Sequence, residues 1–147
     1  LEHAEVIIIE GEGRRIGNVY LPGFLAAAME KGRQVLLTAP LEIRVERILE
    51  TYNPEVLTAG GLEELKEALQ SLRRRLGNSK VERLLATLEA GDYRTVASVL
   101  CSDYYDHYYS DSRPESATFD DYIDASDLDL AAAELKESLL QTGIIKI

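Results

Sequence analysis

The chain has 147 residues, 46% of them apolar, the size and composition of one ordinary domain with a real core. Its net charge of −10 is uneven: residues 1–91 hold 14 acids against 12 bases, whereas residues 92–147 hold 12 against 4. That balance excludes nucleic-acid binding through overall charge, because a phosphate backbone rewards clustered Lys and Arg, and no run approaches the ~20 apolar residues of a bilayer span.

AEVIIIE (residues 4–10) is a continuous, β-branched apolar run. It reads as a strand buried on both faces, as in a parallel sheet covered by helices. IEGEGRRIGNVYLPGF (9–24) continues it as a glycine-rich loop crowded with charge. LPGFLAAAMEKG (21–32) then reads as a helix, with Pro22 in its first turn and Gly32 at its stop. RQVLLTAP (33–40) is a second short strand, and Pro40 opens LEIRVERILETY (41–52), whose apolar positions 41, 45, 48 and 49 form one helical stripe. Residues 1–53 therefore form a βαβα unit, which argues α/β architecture.

After Asn53-Pro54 the character is helical, in GLEELKEALQSLRRRLG, SKVERLLATLEAG and DYRTVASVLCSDYYDHYY. Gly77 and Gly91 suit C-terminal stops and Asp92 suits an N-cap. Residues 110–147 form an acidic tail: SDSRPESA reads as a loop, TFDDYIDA as one further strand, and SDLDLAAAELKESLLQTG as a helix capped by Ser126 or Asp127. Two or three strands make an incomplete sheet with uncovered edges. Either a second copy pairs with it, giving a homo-oligomer, or strands preceding residue 1 complete it. The second is the preferred reading, since the chain opens on Leu1 and reads as a piece of something longer.

Candidate sites follow from residue type and position. In open α/β sheets ligands sit beyond the carboxyl ends of strands, where Glu10, Glu12, Arg14 and Arg15 gather. A carboxylate there can orient water or a metal, and an arginine can fork onto phosphate; a glycine-rich surface turn is the competing reading. Arg44 and Arg47, three apart on a helix, share a face that can cover phosphates or simply pair with Glu46 or Glu50. Any polyanion contact would have to be local, from Arg14-Arg15, Arg44/Arg47 or Arg73-Arg74-Arg75, and for the triple arginine a solvated face is the favoured reading. Tyr104, Tyr105, Tyr108 and Tyr109 make two i,i+4 stripes suited to packing, an interface or substrate contact. Cys101, on an apolar helix face, reads as a buried structural thiol. One cysteine and two distant histidines make no zinc site and fit a reducing cytosol. No G-x-x-x-x-G-K-[ST] occurs, so chemistry needing that phosphate loop cannot be completed by this chain.

VIIIEGEGRRIGNVYLP, VLLTAPLEIRVERILETY and LLATLEAGDYRTVASVLCSDYYDHYY, in that order over residues 6–109, resemble the C-terminal half of tRNA 2-selenouridine synthase. That family shows a strand ending E-x-E-S-R-x-I-G, a strand running into A-P, a helix containing R-V-x-R-I, and a helix ending Y-Y-D-x-x-Y. The resemblance implies an α/β fold with a partial P-loop NTPase-like parallel sheet, flanking helices and a helix-rich C-terminal half. It implies a cytoplasmic transferase that replaces sulfur by selenium in wobble 2-thiouridine of tRNA through a geranylated intermediate. Selenophosphate and geranyl diphosphate are the family's substrates, and this chain brings no cofactor of its own. A rhodanese-like domain and the P-loop would come from the missing N-terminal part, so this segment alone is expected to be inactive.

Carried over by position, Glu10, Glu12, Arg14, Ile16 and Gly17 match the loop, with Gly13 replacing the family's serine. Arg44 and Arg47 match the post-strand helix, similar to lid-side arginines of P-loop kinases. Tyr104, Tyr105, Asp106 and Tyr108 or Tyr109 match the tyrosine-rich helix end, where His107 replaces the usual proline. Cys101 matches no family nucleophile. Implied phosphate contacts are thus Arg14 or Arg15 with Arg44 and Arg47, with Glu10 or Glu12 orienting a metal or water. The alternatives are a P-loop small-molecule or nucleotide kinase and a non-enzymatic acidic module docking through its tyrosine face.

Overall fold

The computed structural model describes residues 6–11, 15–16, 19–52, 58–107 and 118–145. They fall into two compact units, one of residues 1–38 with 118–147 and one of residues 39–117. The helical second unit is thus inserted, in sequence, between the two chain segments that make the first.

The first unit holds the parallel sheet. A hairpin pairs β1 (Arg15–Ile16) with β2 (Val19–Tyr20) antiparallel, Ile16 opposite Val19. Helix α1 (Gly23–Lys31) starts on Pro22, whose carbonyl accepts from Leu25 and Ala26, and ends at Gly32. A Cβ at Gly32 would sit 3.3 Å from the Ala28 carbonyl oxygen, tighter than most such contacts, so a small residue suits this stop. Strand β3 (Val35–Thr38) pairs in parallel with β4 (Asp121–Asp124), Val35 opposite Asp121 and Leu37 opposite Ile123. Helix α7 (Leu128–Gln141) follows, and the Asp127 carboxylate accepts from the Asp129 and Leu130 amides, satisfying two orphan donors. Ile123, Ala125 and Ala131 form the buried core, with Val35 and Leu135 against them.

The parallel sheet with flanking helices is as the sequence predicts, but its partners differ. Residues 6–10 form no strand, and Ile7, Ile8 and Ile9 are 53%, 74% and 42% exposed. A strand buried on both faces needs a partner for its backbone groups and helices above and below, and nothing pairs with these residues among those described. The partner of β3 is instead the strand within TFDDYIDA. The β1–β2 hairpin was not anticipated, although Gly17-Asn18 between its strands is a dipeptide that favours tight hairpins.

The second unit is helical: α2 (Leu41–Thr51), α3 (Ala59–Ser71), α4 (Arg73–Leu76), α5 (Asn78–Glu89) and α6 (Tyr93–Leu100). Helix α6 runs on into a wider π-helical turn, Cys101–Tyr105. Leu69, Leu84, Leu88 and Val96 form its core, joined by Leu62, Leu72 and Leu76. Each fully buried leucine contributes roughly 1.5–3 kcal/mol of burial. Gly77 and Gly91, at φ +83° and +80°, occupy conformations that L side chains resist, which ends the preceding helices there. Asp92 caps α6, its carboxylate accepting from the Thr95 amide. The helix expected over 61–77 is broken at Leu72, whose amide turns to the Leu69 carbonyl; the offset lets both Leu72 and Leu76 reach the core. The loop read over 110–117 lies outside the described residues.

Candidate functional site

An ion pair joins helix α2 to Asp106, the residue that closes the π-helical turn. Arg44 Nη1 and Nη2 donate to Asp106 Oδ1 and Oδ2 at 2.7 and 2.9 Å, a bidentate fork across 62 positions of sequence. The fork is reachable because Val45, the next residue, is 1% exposed and anchors α2. Arg44 Nε is buried with no hydrogen-bond partner among the described residues. Hydrogen bonding to Arg44 holds the Asp106 carboxyl below the usual aspartate range despite partial burial, and raises Arg44 in turn. Burial pushes the neighbouring Cys101 thiol up, opposed by Arg44 and reinforced by Asp106. A buried thiol raised in this way is a poor nucleophile, in keeping with a structural role.

The same turn arranges the tyrosines. Neighbouring positions of a helix ordinarily point apart, yet the Tyr104 and Tyr105 rings meet edge to face with centroids 5.1 Å apart. The wider i→i+5 turn lessens the angle between successive side chains and is a feature often found at functional sites. Arg75 Nη1 donates to the Tyr104 hydroxyl, and its guanidinium carbon lies 5.6 Å from the ring centroid. Lys80 Nζ meets Asp103 Oδ2 at 2.7 Å, and with Ser102 Oγ it holds the Asp103 carboxyl low. Elsewhere on the unit, Arg94 pairs with Glu46 at 2.7 Å.

Of the residues singled out in sequence, Arg44 is brought onto Asp106, while Tyr104 and Tyr105 stand in the π-helical turn just before it, Tyr104 against Arg75. Arg47 lies half-buried on α2. Glu10 is exposed at the end of residues 6–10, in the other unit, and Arg15 stands in β1 opposite Tyr20. Glu12, Arg14 and Tyr108 lie outside the described residues. Sequence reasoning missed the Arg44–Asp106 fork and the Arg75–Tyr104 contact. Residue spacing carried no signal for either, since both cross between helices; the placing of Arg44 and Asp106 in successive family landmarks was the available hint. No group of His, Cys, Asp and Glu able to hold a metal occurs among the described residues. Nor, among them, is any helix long and apolar enough to cross a membrane.

An α/β chain with a parallel strand pair and an inserted helical unit fits the class expected from the sequence, and comparison with known proteins makes it specific. The family model described as the tRNA 2-selenouridine synthase AAA domain matches residues 1–119, and the chain belongs to that family. A tRNA 2-selenouridine synthase of Psychromonas ingrahamii is 31% identical over 74% of this chain and 36% of its own length. One from Cupriavidus pinatubonensis is 32% identical over 71% of this chain and 35% of the relative. A third, from a Sulfurovum species, is 27% identical over similar shares, 71% and 35%. The chain thus spans about a third of the length of the curated relatives it matches. No solved structure matches it.

Proposed function

We propose that the whole protein is a transferase that exchanges sulfur for selenium in wobble 2-thiouridine of tRNA. In this reading the exchange passes through a geranylated intermediate, uses selenophosphate and geranyl diphosphate, and takes place in the cytoplasm. The carrying observation is the family match over residues 1–119. This chain's part is to help bind the phosphate-bearing substrate. Arg14, Arg15, Arg44 and Arg47 supply the cationic forks, Glu10 or Glu12 orients water or a metal, and Tyr104, Tyr105 and Tyr108 contact substrate or a neighbouring domain. The geometry favouring this role for Arg44 is the bidentate fork on Asp106: two coplanar N–H donors held in the arrangement that a phosphate also accepts. Asp106 keeps that fork preformed, so a phosphate competes for donors already in place.

The remaining chemistry belongs to a preceding segment with the rhodanese-like domain and phosphate loop. The exposed Ile7–Ile9 run supports this, as an apolar stretch lacking the neighbours that such a segment would provide. The test is selenium transfer to tRNA by the full-length protein, with binding of geranyl diphosphate measured beside it. Arg14→Ala is expected to weaken that binding by about 1–3 kcal/mol, the contribution of a charged hydrogen bond, and to lower product formation. Unchanged binding would remove the phosphate-binding role assigned to Arg14. Absence of 2-selenouridine from wild-type reactions would remove the assignment itself.

A further inference from the structure

A second site lies on the helical unit. An open cleft of about 650 Å³ is lined by Ser71, Leu72, Arg74, Arg75 and Tyr104. It exists because α4 is offset from α3 at Leu72: the apolar Leu72 and Leu76 turn inward to the core, so the arginines between them face outward. Tyr104, from the π-helical turn, forms the opposite wall and is tied to Arg75 through its hydroxyl.

The cations around this cleft are not equivalent. Arg73 is neutralised by Glu82 at 2.6 Å and Lys80 by Asp103 at 2.7 Å. Arg74 is exposed and has no partner among the described residues. Residues 73–83 hold five bases and one acid within a chain of net charge −10, so this is a local positive site on an acidic protein. A purely solvated arginine face needs neither a concave wall nor an adjoining aromatic pair. Tyr105, edge to face with Tyr104, is 48% exposed and offers a ring beside the cleft. Cations beside exposed aromatic rings are the combination by which proteins hold single-stranded nucleic acid, phosphate on the cation and base on the ring.

We infer that the Arg74–Arg75–Tyr104 cleft binds a phosphodiester of single-stranded RNA, with Arg74 as the principal phosphate contact. The inference rests on the proposed tRNA substrate and locates where an acidic protein can hold it. Neither Arg44 nor Asp106 lines this cleft.

The test measures tRNA binding by the full-length protein against salt concentration, for wild type, Arg74→Ala and Arg74→Lys. Losing one phosphate contact is expected to lower the slope of log affinity against log salt by about 0.7–0.9 and to weaken binding roughly three- to tenfold, whatever the sequence bound. Arg74→Lys, which keeps the charge, is expected to recover most of the slope, and the thermal midpoint should not move. Arg74→Ala with wild-type affinity and slope overturns the inference while leaving tRNA as substrate. Loss of inorganic diphosphate binding in Arg74→Ala, with tRNA binding intact, also overturns it and assigns the cleft to a small phosphate ligand. Wild-type protein that fails to bind tRNA removes both the inference and the substrate on which it rests.

Discussion

Breaking the Arg44–Asp106 fork should remove one tie between α2 and the end of the π-helical turn, at a cost that can be worked from geometry. Two charged hydrogen bonds at 2.7 and 2.9 Å would be worth roughly 1.5–3 kcal/mol apiece in a dry site. The side chains, however, are 34% and 47% exposed, so solvent screening reduces the pair toward the 0.2–1 kcal/mol of surface bridges. The bidentate fit places it at the upper end, and about 1 kcal/mol of coupling is expected from a cycle of Arg44→Ala, Asp106→Ala and the double variant. The folded Asp106 carboxyl titrates below its unfolded value of about 3.9, so its contribution is fully present above that pH and disappears as pH falls through the folded value. Arg44 stays charged throughout. Urea unfolding followed by circular dichroism, run at pH 7 and again near pH 3, gives the coupling at each pH. Other carboxylates that lose stability in acid cancel within the cycle. Zero coupling at pH 7 would refute the ion pair, and coupling unchanged in acid would show that packing, not charge, joins these residues.

Two further outcomes test the cores. Leu84, 3% exposed among Leu69, Leu88 and Val96, should cost about 2–5 kcal/mol as Leu84→Ala, whereas the neighbouring exposed Arg83→Ala should stay within roughly 0.5 kcal/mol; a loss below about 1 kcal/mol in urea unfolding would contradict the assigned core. Asp121 accepts from Arg33 Nε and Ser138 Oγ, both at 2.8 Å, and these bonds hold its carboxyl low. Asp121→Asn should therefore speed exchange of the Ala125 amide, which donates to Thr38 beside the β3–β4 pair, at neutral pH. That difference from wild type should shrink as acid protonates the native carboxylate, and a difference independent of pH would refute it.

Effects that act between near neighbours were legible in the residues alone. Pro22 and Pro40 open helices where they were expected to, Asp92 and Asp127 cap them, and Gly77 and Gly91 close them, because these effects act within one turn of backbone. The family, too, was legible, since its landmarks are local strings in a fixed order. The tertiary structure alone decided the long-range pairings. β3 bonds to β4 rather than to residues 6–10, and Arg33 finds Asp121 across 88 positions. Arg44 closes on Asp106 rather than on a neighbouring glutamate, and the triple arginine is divided among an ion pair, an open cleft and a tyrosine. Periodicity says which face of a helix is apolar, but the energy of a pair depends on separation in space. That separation is set by how whole helices and strands pack.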